Sequence, residues 1–370
     1  MTMGTTYAGM DAHARTIHVA VLRPGASGPE EWQLANEPRA VKRLARRLRR
    51  DAGGPVVACY EAGPTGFALQ RQLEAEGIDC RVIAPALIPR RPGDRVKTDR
   101  RDARKLAELL RAELLTDVHP PTEEQEAVRD LCRAREATVS DRTRARHRLS
   151  KLLLRKGLAY DGRGWTERHR RWLLTLRFEH PAAQATFDDH LRALEGVEER
   201  LRTLERELAL CAESEDYREA VGVLRCFHGV DTVTAMTVLA ELGDITRFRS
   251  ARQLMAYLGL TPSEYSSGGR TQRGAITKTG NAHVRRLLVE SAWHYRHPPR
   301  VGSALRKRRE GQPGWAVACA DRAQSRLYRR YRRLTTHGKP TVVANVAVAR
   351  ELAGYMWEAL HVQAGRLAAA

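Results

Sequence analysis

The sequence lacks the features that most readily announce a chemistry. It holds no Walker-type phosphate loop and no dinucleotide-binding fingerprint, which disfavours an ATP-driven or NAD-dependent machine. Its six cysteines (Cys59, Cys80, Cys132, Cys211, Cys226 and Cys319) lie far apart with no C-x-x-C pair, so neither a zinc ribbon nor a redox motif is suggested. They read as small buried hydrophobes of a reducing compartment. No apolar run approaches the ~18 residues that would span a bilayer, so no membrane partner is expected. The opening "MTMGTTYAGMD" has no charged segment followed by an apolar one, and no signal peptide is read there.

Acid is also scarce relative to base. Lysine and arginine number 64 against 44 aspartates and glutamates, a net charge of +20 over 370 residues. Such an excess repels itself in a compact protein unless a polyanion is the usual partner. Most of the bases are arginines in clusters, "RLARRLRR" (43–50), the stretch 90–105, "RKRR" (306–309) and "RRYRR" (329–333). Arginine forks match phosphate oxygens, so nucleic acid is the leading partner. With 42% apolar residues the chain can still bury real cores, and its length suggests roughly two or three domains.

The first 121 residues read as three short strands, then helix, strand, helix, strand, helix. Meander strands followed by βα units predict a mixed sheet flanked by helices, the order of an RNase H-like fold. From 122 to 216 the pattern is almost wholly helical. There Leu194, Val197, Leu201, Leu204, Leu208 and Cys211 form a heptad seam, compatible with an intrachain antiparallel hairpin or with a dimerising coiled coil. Residues 217–370 predict a mainly α domain. It opens with a helix-hairpin-helix-like element and continues through a polar, glycine-rich loop, "SEYSSGGRTQRG".

Two acids, Asp11 and Glu61, fall at the ends of strands that an RNase H-like sheet makes neighbours. Asp99 and Asp102 are one helical turn apart, hence on one face. Four hard oxygen donors meeting at one sheet edge would bind Mg²⁺ or Mn²⁺ and assist phosphoryl transfer. Taken separately, Asp99 would serve as a helix N-cap and Asp102 as a first-turn acid, whereas capping does not account for the two sheet positions. The basic residues Arg95, Lys97, Arg100 and Arg101 surround this pair, and Arg270, Arg273, Lys278 and Arg285 follow the serine loop, as candidate nucleic-acid contacts. His13 could assist proton transfer or support the site from behind. In the loop itself, Ser266 or Ser267 could attack phosphate, or the pair could form a plain turn.

The motifs "GMDAHA", "YEAGPTG" and "KTDRRDA", with "GLTPSEYSSGG", "ITKTGN" and "VRRLLVESAW", resemble the DEDD transposases of the IS110 insertion-sequence family, related to the Piv-type DNA invertases. The resemblance runs from residue 6 to about 360. It implies a RuvC-like N-terminal domain whose four acids are Asp11, Glu61, Asp99 and Asp102. It also implies a C-terminal transposase domain whose nucleophile, directly before glycine, is Ser267. Further implications are Mg²⁺ or Mn²⁺ as cofactor, a noncoding bridge RNA that selects donor and target DNA, and a coiled-coil middle within a dimer or tetramer. In that assembly the serine of one subunit joins the acids of another. The expected location is the bacterial cytoplasm, at the nucleoid. Two rival readings are a hydrolytic RuvC-like junction nuclease and a non-catalytic nucleic-acid-binding protein.

Overall fold

The computed structural model describes residues 4–89, 98–267, 269 and 272–367. It divides into two compact units, Met1–Pro121 and Thr122–Ala370.

The first unit is built on β1 (Thr6–Ala12), β2 (Thr16–Leu22), β3 (Glu30–Ala35), α1 (Pro38–Ala52), β4 (Val56–Glu61), α2 (Ala68–Ala75), β5 (Asp79–Ile83), α3 (Asp99–Arg111) and β6 (Asp117–Val118). The sheet runs in the order β3-β2-β1-β4-β5-β6. β1 pairs antiparallel with β2 and parallel with β4, and β4 pairs parallel with β5. This is the meander-then-βα order expected of an RNase H-like sheet. The short edge strand β6, antiparallel to β5, was not expected, because two residues carry no readable alternation.

Strand alternation sends side chains to two cores. Ala8, Met10, Ala58, Tyr60 and Val82 pack with Val41, Leu44, Leu48 of α1 and Leu69, Leu73 of α2. On the other face, Cys59 and Ile83 meet Leu106 and Leu110 of α3, and Ala20 and Leu22 meet Ala103 and Ala107. α3 crosses directly over Gly9, where an added Cβ would overlap the backbone at Ala103 and Ala107. Glycine at this position lets the helix approach the sheet closely.

The second unit opens with α4 (Glu123–Arg155), started by a capping box in which Thr122 and Gln125 satisfy each other's backbone N–H. α5 (Glu167–Thr175) and α6 (Pro181–Ala212) follow. Arg135 pairs with Glu205 and Arg146 with Glu198, so α4 and α6 run antiparallel. Phe187, Leu194, Leu201 and Leu208 of α6 are buried at intervals of seven, while Val197, Leu204 and Cys211 of the expected seam are only half-buried. The antiparallel hairpin within the chain is what covers this stripe.

The remaining helices are α7 (Arg218–Arg225), α8 (Thr232–Leu242), α9 (Ala251–Tyr257), α10 (Ala282–Ala292), α11 (Ser303–Arg309), α12 (Gly314–Thr336) and α13 (Thr341–Leu367). They share one large core, with Phe227, Met236, Leu288, Leu327 and Leu352 at its centre. Between α9 and α10 a two-stranded antiparallel ribbon, β7 (Pro262–Glu264) and β8 (Arg273–Ile276), carries the serine loop. Strands were not expected there, since glycine and polar residues dominate the stretch. Five of the six cysteines are buried and none is bridged. Burial lifts the Cys132 thiol to about 11, in keeping with a packing role. No helix among the described residues is long and apolar enough to cross a membrane.

Candidate functional site

The carboxylates of the first unit are placed by register. Met10 pairs with Tyr60, so continuing the parallel ladder sets Asp11 beside Glu61. Met10 and Tyr60 point toward α1 and α2, and alternation turns Asp11 and Glu61 to the face that α3 covers. Thr98 caps α3, its hydroxyl accepting from Arg101 N at 3.4 Å. Asp99 is therefore the first helical residue rather than the cap, and its carboxylate is directed at histidines. His13 Nε2 lies 3.3 Å from Asp11 Oδ2 and 3.5 Å from Asp99 Oδ2, and His18 Nε2 lies 3.6 Å from Asp99 Oδ2.

Among the described residues, Asp11, His13 and Asp99 can each aim one ligand atom into a group lying within 4.8 Å. Burial pushes the Asp11 carboxyl above its usual range; His13 pulls it back, and the nearby charges of Asp99 and Asp102 push it further up. Three acids crowded until one resists ionisation form a set that a divalent cation would relieve, and the donors fit Mg²⁺ or, with an imidazole included, Mn²⁺. Glu61 is exposed on the neighbouring strand and is not a member of the 4.8 Å group.

Sequence reasoning missed His18. The signal was available in the hairpin register, which pairs Asp11 with His18 across β1 and β2. It also missed Glu31 on β3, whose nearly buried carboxylate holds Arg104 at 2.7 Å and also pairs with Arg100, whose own side chain stays 70% exposed. Arg101 is exposed. Arg95, Lys97 and Arg270 lie outside the described residues.

In the second unit, the ribbon holds the two serines differently. Ser266 Oγ donates to Glu264 Oε1 at 2.8 Å, and Arg273 Nε donates to the other oxygen at 3.3 Å. These two bonds hold the Glu264 carboxyl below its usual range. Tyr265 N bonds Gln272 O at 2.9 Å, so pairing across the ribbon continues past Glu264. Ser267 is exposed, and its hydroxyl has no hydrogen-bond partner among the described residues.

Lys278 sits exposed at φ 56°, next to a turn whose Gly280 (φ 67°) passes over Tyr257 O where a Cβ has no room. Arg285 Nη1 donates to Leu258 O and Thr279 O, both at 2.9 Å, and so braces that turn from α10. Its base is held by a network centred on the buried Glu241. Glu241 accepts from Arg133 Nε and Asn281 Nδ2, both at 2.7 Å, while Asn281 Oδ1 caps α10 through Val284 N.

Comparison with known proteins accords with both halves. Residues 8–156 match a family model described as "Transposase" for DEDD proteins of the IS110 type, and residues 222–304 match "Transposase IS116/IS110/IS902 family". A Sinorhizobium fredii protein, "Putative transposase y4qE", is 42% identical over 358 residues, covering 95% of this chain and 87% of its own. The "Transposase for insertion sequence element IS1533" of Leptospira borgpetersenii is 37% identical over 339 residues, covering 89% of this chain and 96% of its own. With relatives this similar over nearly their whole length, the chain belongs to the IS110 family of DEDD transposases.

Proposed function

We propose that this transposase cuts and rejoins DNA through a covalent serine link, with Ser267 as nucleophile and Asp11, Glu61, Asp99 and Asp102 as the acids that hold a divalent cation. The observation that carries the reading is the meeting of Asp11 and Asp99 at His13, with Asp102 near enough to raise the Asp11 pKa. Bound Mg²⁺ or Mn²⁺ would supply Lewis-acid stabilisation of the charge developing on the reacting phosphate.

Ser267 Oγ forms a bond to phosphorus, the P–O3′ bond breaks, and the serine proton passes to the departing 3′ oxygen. Phosphodiester energy is conserved in the phosphoserine, so rejoining to a new end needs no nucleotide hydrolysis. Exposed Arg101 and Lys278 hold phosphates near their respective motifs. Arg273 serves first to orient Glu264, and Arg285 to brace the turn. DNA sites are selected by a noncoding guide RNA, and the active species is a dimer or tetramer; the family resemblance and the net charge of +20 support this part.

The test combines purified protein, Mg²⁺, RNA transcribed from the gene's flanks and labelled element-junction DNA. A denaturant-resistant protein–DNA adduct mapping to Ser267 and absent in Asp99→Asn is expected. Cleavage to free ends without an adduct, persisting in Ser267→Ala, would replace this reading with the hydrolytic nuclease.

A further inference from the structure

The far end of the α4–α6 hairpin, where α4 ends and α5 begins, carries a cluster that the catalytic reading does not use. Tyr160, Trp165, His169 and Trp172 gather with ring centroids 4.8–5.5 Å apart. Only His169 is fully buried, and Tyr160, Trp165 and Trp172 remain half-exposed. Trp165 adopts φ 62°, a left-handed conformation that bulky residues rarely take. Its backbone N–H donates to His169 Nδ1 at 3.2 Å, and His169 N in turn donates to the Thr166 cap hydroxyl at 3.3 Å. Burial, with Arg170 adding, lowers the His169 pKa and so keeps its Nδ1 available as an acceptor.

The charges around these rings fall into two sets. Arg146 and Arg170 face inward and share Glu198, and the Arg146 guanidinium lies 5.0 Å from the Trp165 ring centroid. Lys151, Arg155, Lys156, Arg163, Arg168 and Arg171 face outward, exposed, with no ion pair among the described residues. Residues 148–177 hold nine lysines and arginines against two acids, Asp161 and Glu167. Apolar packing against Leu149, Leu153 and Leu173 accounts for the inner faces of the rings. It accounts neither for the unpaired cations nor for a tryptophan held in a strained conformation at the surface.

We propose that this tip binds a single-stranded polynucleotide, its outward lysines and arginines on the phosphates and its half-exposed rings stacking on unpaired bases. Cations flanking flat aromatic faces are the combination such strands require. Stacking tolerates any base, whereas phosphate contacts make binding steeply salt-dependent. The surface lies outside the catalytic motifs, so the proposal stands apart from the identity of the nucleophile. RNA and unpaired DNA share this chemistry, and the test separates them.

The experiment uses full-length protein without divalent cation, and fluorescent unstructured RNA, the same sequence as single-stranded DNA, and its duplex. Lys151→Ala, Arg155→Ala and Arg171→Ala are combined in one variant that alters exposed side chains alone. Wild type should bind the single strands with log K falling linearly in log salt. The triple variant should flatten that slope by about 2, at ~0.7 per lost single-strand contact. Trp172→Phe, which keeps a ring, should bind like wild type, and Tyr160→Ala should weaken binding with the slope unchanged. Tighter binding of RNA than of DNA would assign the tip to RNA, and the reverse to displaced DNA. An unchanged slope and affinity in the triple variant would overturn the proposal. So would a change in oligomeric mass with binding intact, which would make the tip a protein interface.

Discussion

Ser266 Oγ and Glu264 Oε1 are joined by a 2.8 Å hydrogen bond that fixes one serine of an adjacent pair, while the exposed Ser267 hydroxyl has no partner among the described residues. The bond ties Ser266 to the ribbon that Arg273 also grips, so the loop leaves β7 in a set direction. Ser267→Ala should therefore abolish the covalent adduct. Ser266→Ala and Glu264→Gln should slow its formation by only about tenfold, the worth of one ordinary hydrogen bond. Quantifying adduct in denaturing gels checks this. Loss of the adduct in Ser266→Ala with retention in Ser267→Ala would exchange the two roles and make Glu264 the proton acceptor.

Asp11 is placed where burial and two like charges work against its ionisation, a cost that a cation-binding site carries when empty. Asp11→Asn should raise the thermal stability of cation-free protein. The same change should abolish cleavage and remove most of the stabilisation that added Mn²⁺ gives the wild type. Melting curves with and without Mn²⁺ read both effects. A variant less stable than wild type in chelator would show that Asp11 is held by favourable bonds rather than strained by its neighbours.

Much of this arrangement was legible in the residues. Hydrophobic alternation and glycine stops gave strands and helices of the first unit in the right order, and the fold order then brought Asp11 to the edge where Asp99 sits. What was not legible depended on register and on partners distant in the sequence. His18 reads as an ordinary polar residue in an apolar strand until the hairpin pairs it with Asp11. That Arg100 also pairs with Glu31, 69 positions earlier, could not be read from the sequence. The ribbon under the serines was hidden because its strands are polar and held by a bulged pairing. The aromatic tip was hidden because its rings are spread over a break and a short helix.

Gly9 offers a sharper test of the first unit. An alanine there places a methyl group on the α3 backbone at Ala103 and Ala107, which cannot yield as a flexible side chain would. The helix must lift, and Asp99 and Asp102 ride on it. Gly9→Ala should cost about 1–3 kcal/mol, typical of overpacking. It should also lower cation affinity more than an equally destabilising substitution in the α1–α2 core, such as Leu44→Val. Chemical denaturation and Mn²⁺ titration of the two variants side by side separate these effects. Equal losses of affinity would mean that the height of α3 over the sheet does not set the site.

Glu241 supports the second unit in a way that pH can expose. It is 2% exposed and accepts from Arg133 and Asn281. Burial alone would raise its pKa, but these two bonds outweigh it, and the pKa lies below the usual 4.5. A carboxylate with a depressed folded-state value contributes stability that is fully present above its unfolded value and is lost as pH falls through the folded one. Glu241→Gln keeps the shape but strands Arg133, whose side chain is 46% exposed and so recovers water. The expected loss at neutral pH is on the order of 2–3 kcal/mol, below the full value for breaking a wholly buried pair. Measured by urea denaturation, the gap between wild type and variant should be constant from pH 8 to about 5 and close in more acidic buffer. Because Asn281 starts the helix that follows the serine ribbon, adduct formation should fall in the variant even at temperatures where it is fully folded. A variant that loses stability but keeps the wild-type rate of adduct formation would confine Glu241 to holding the core.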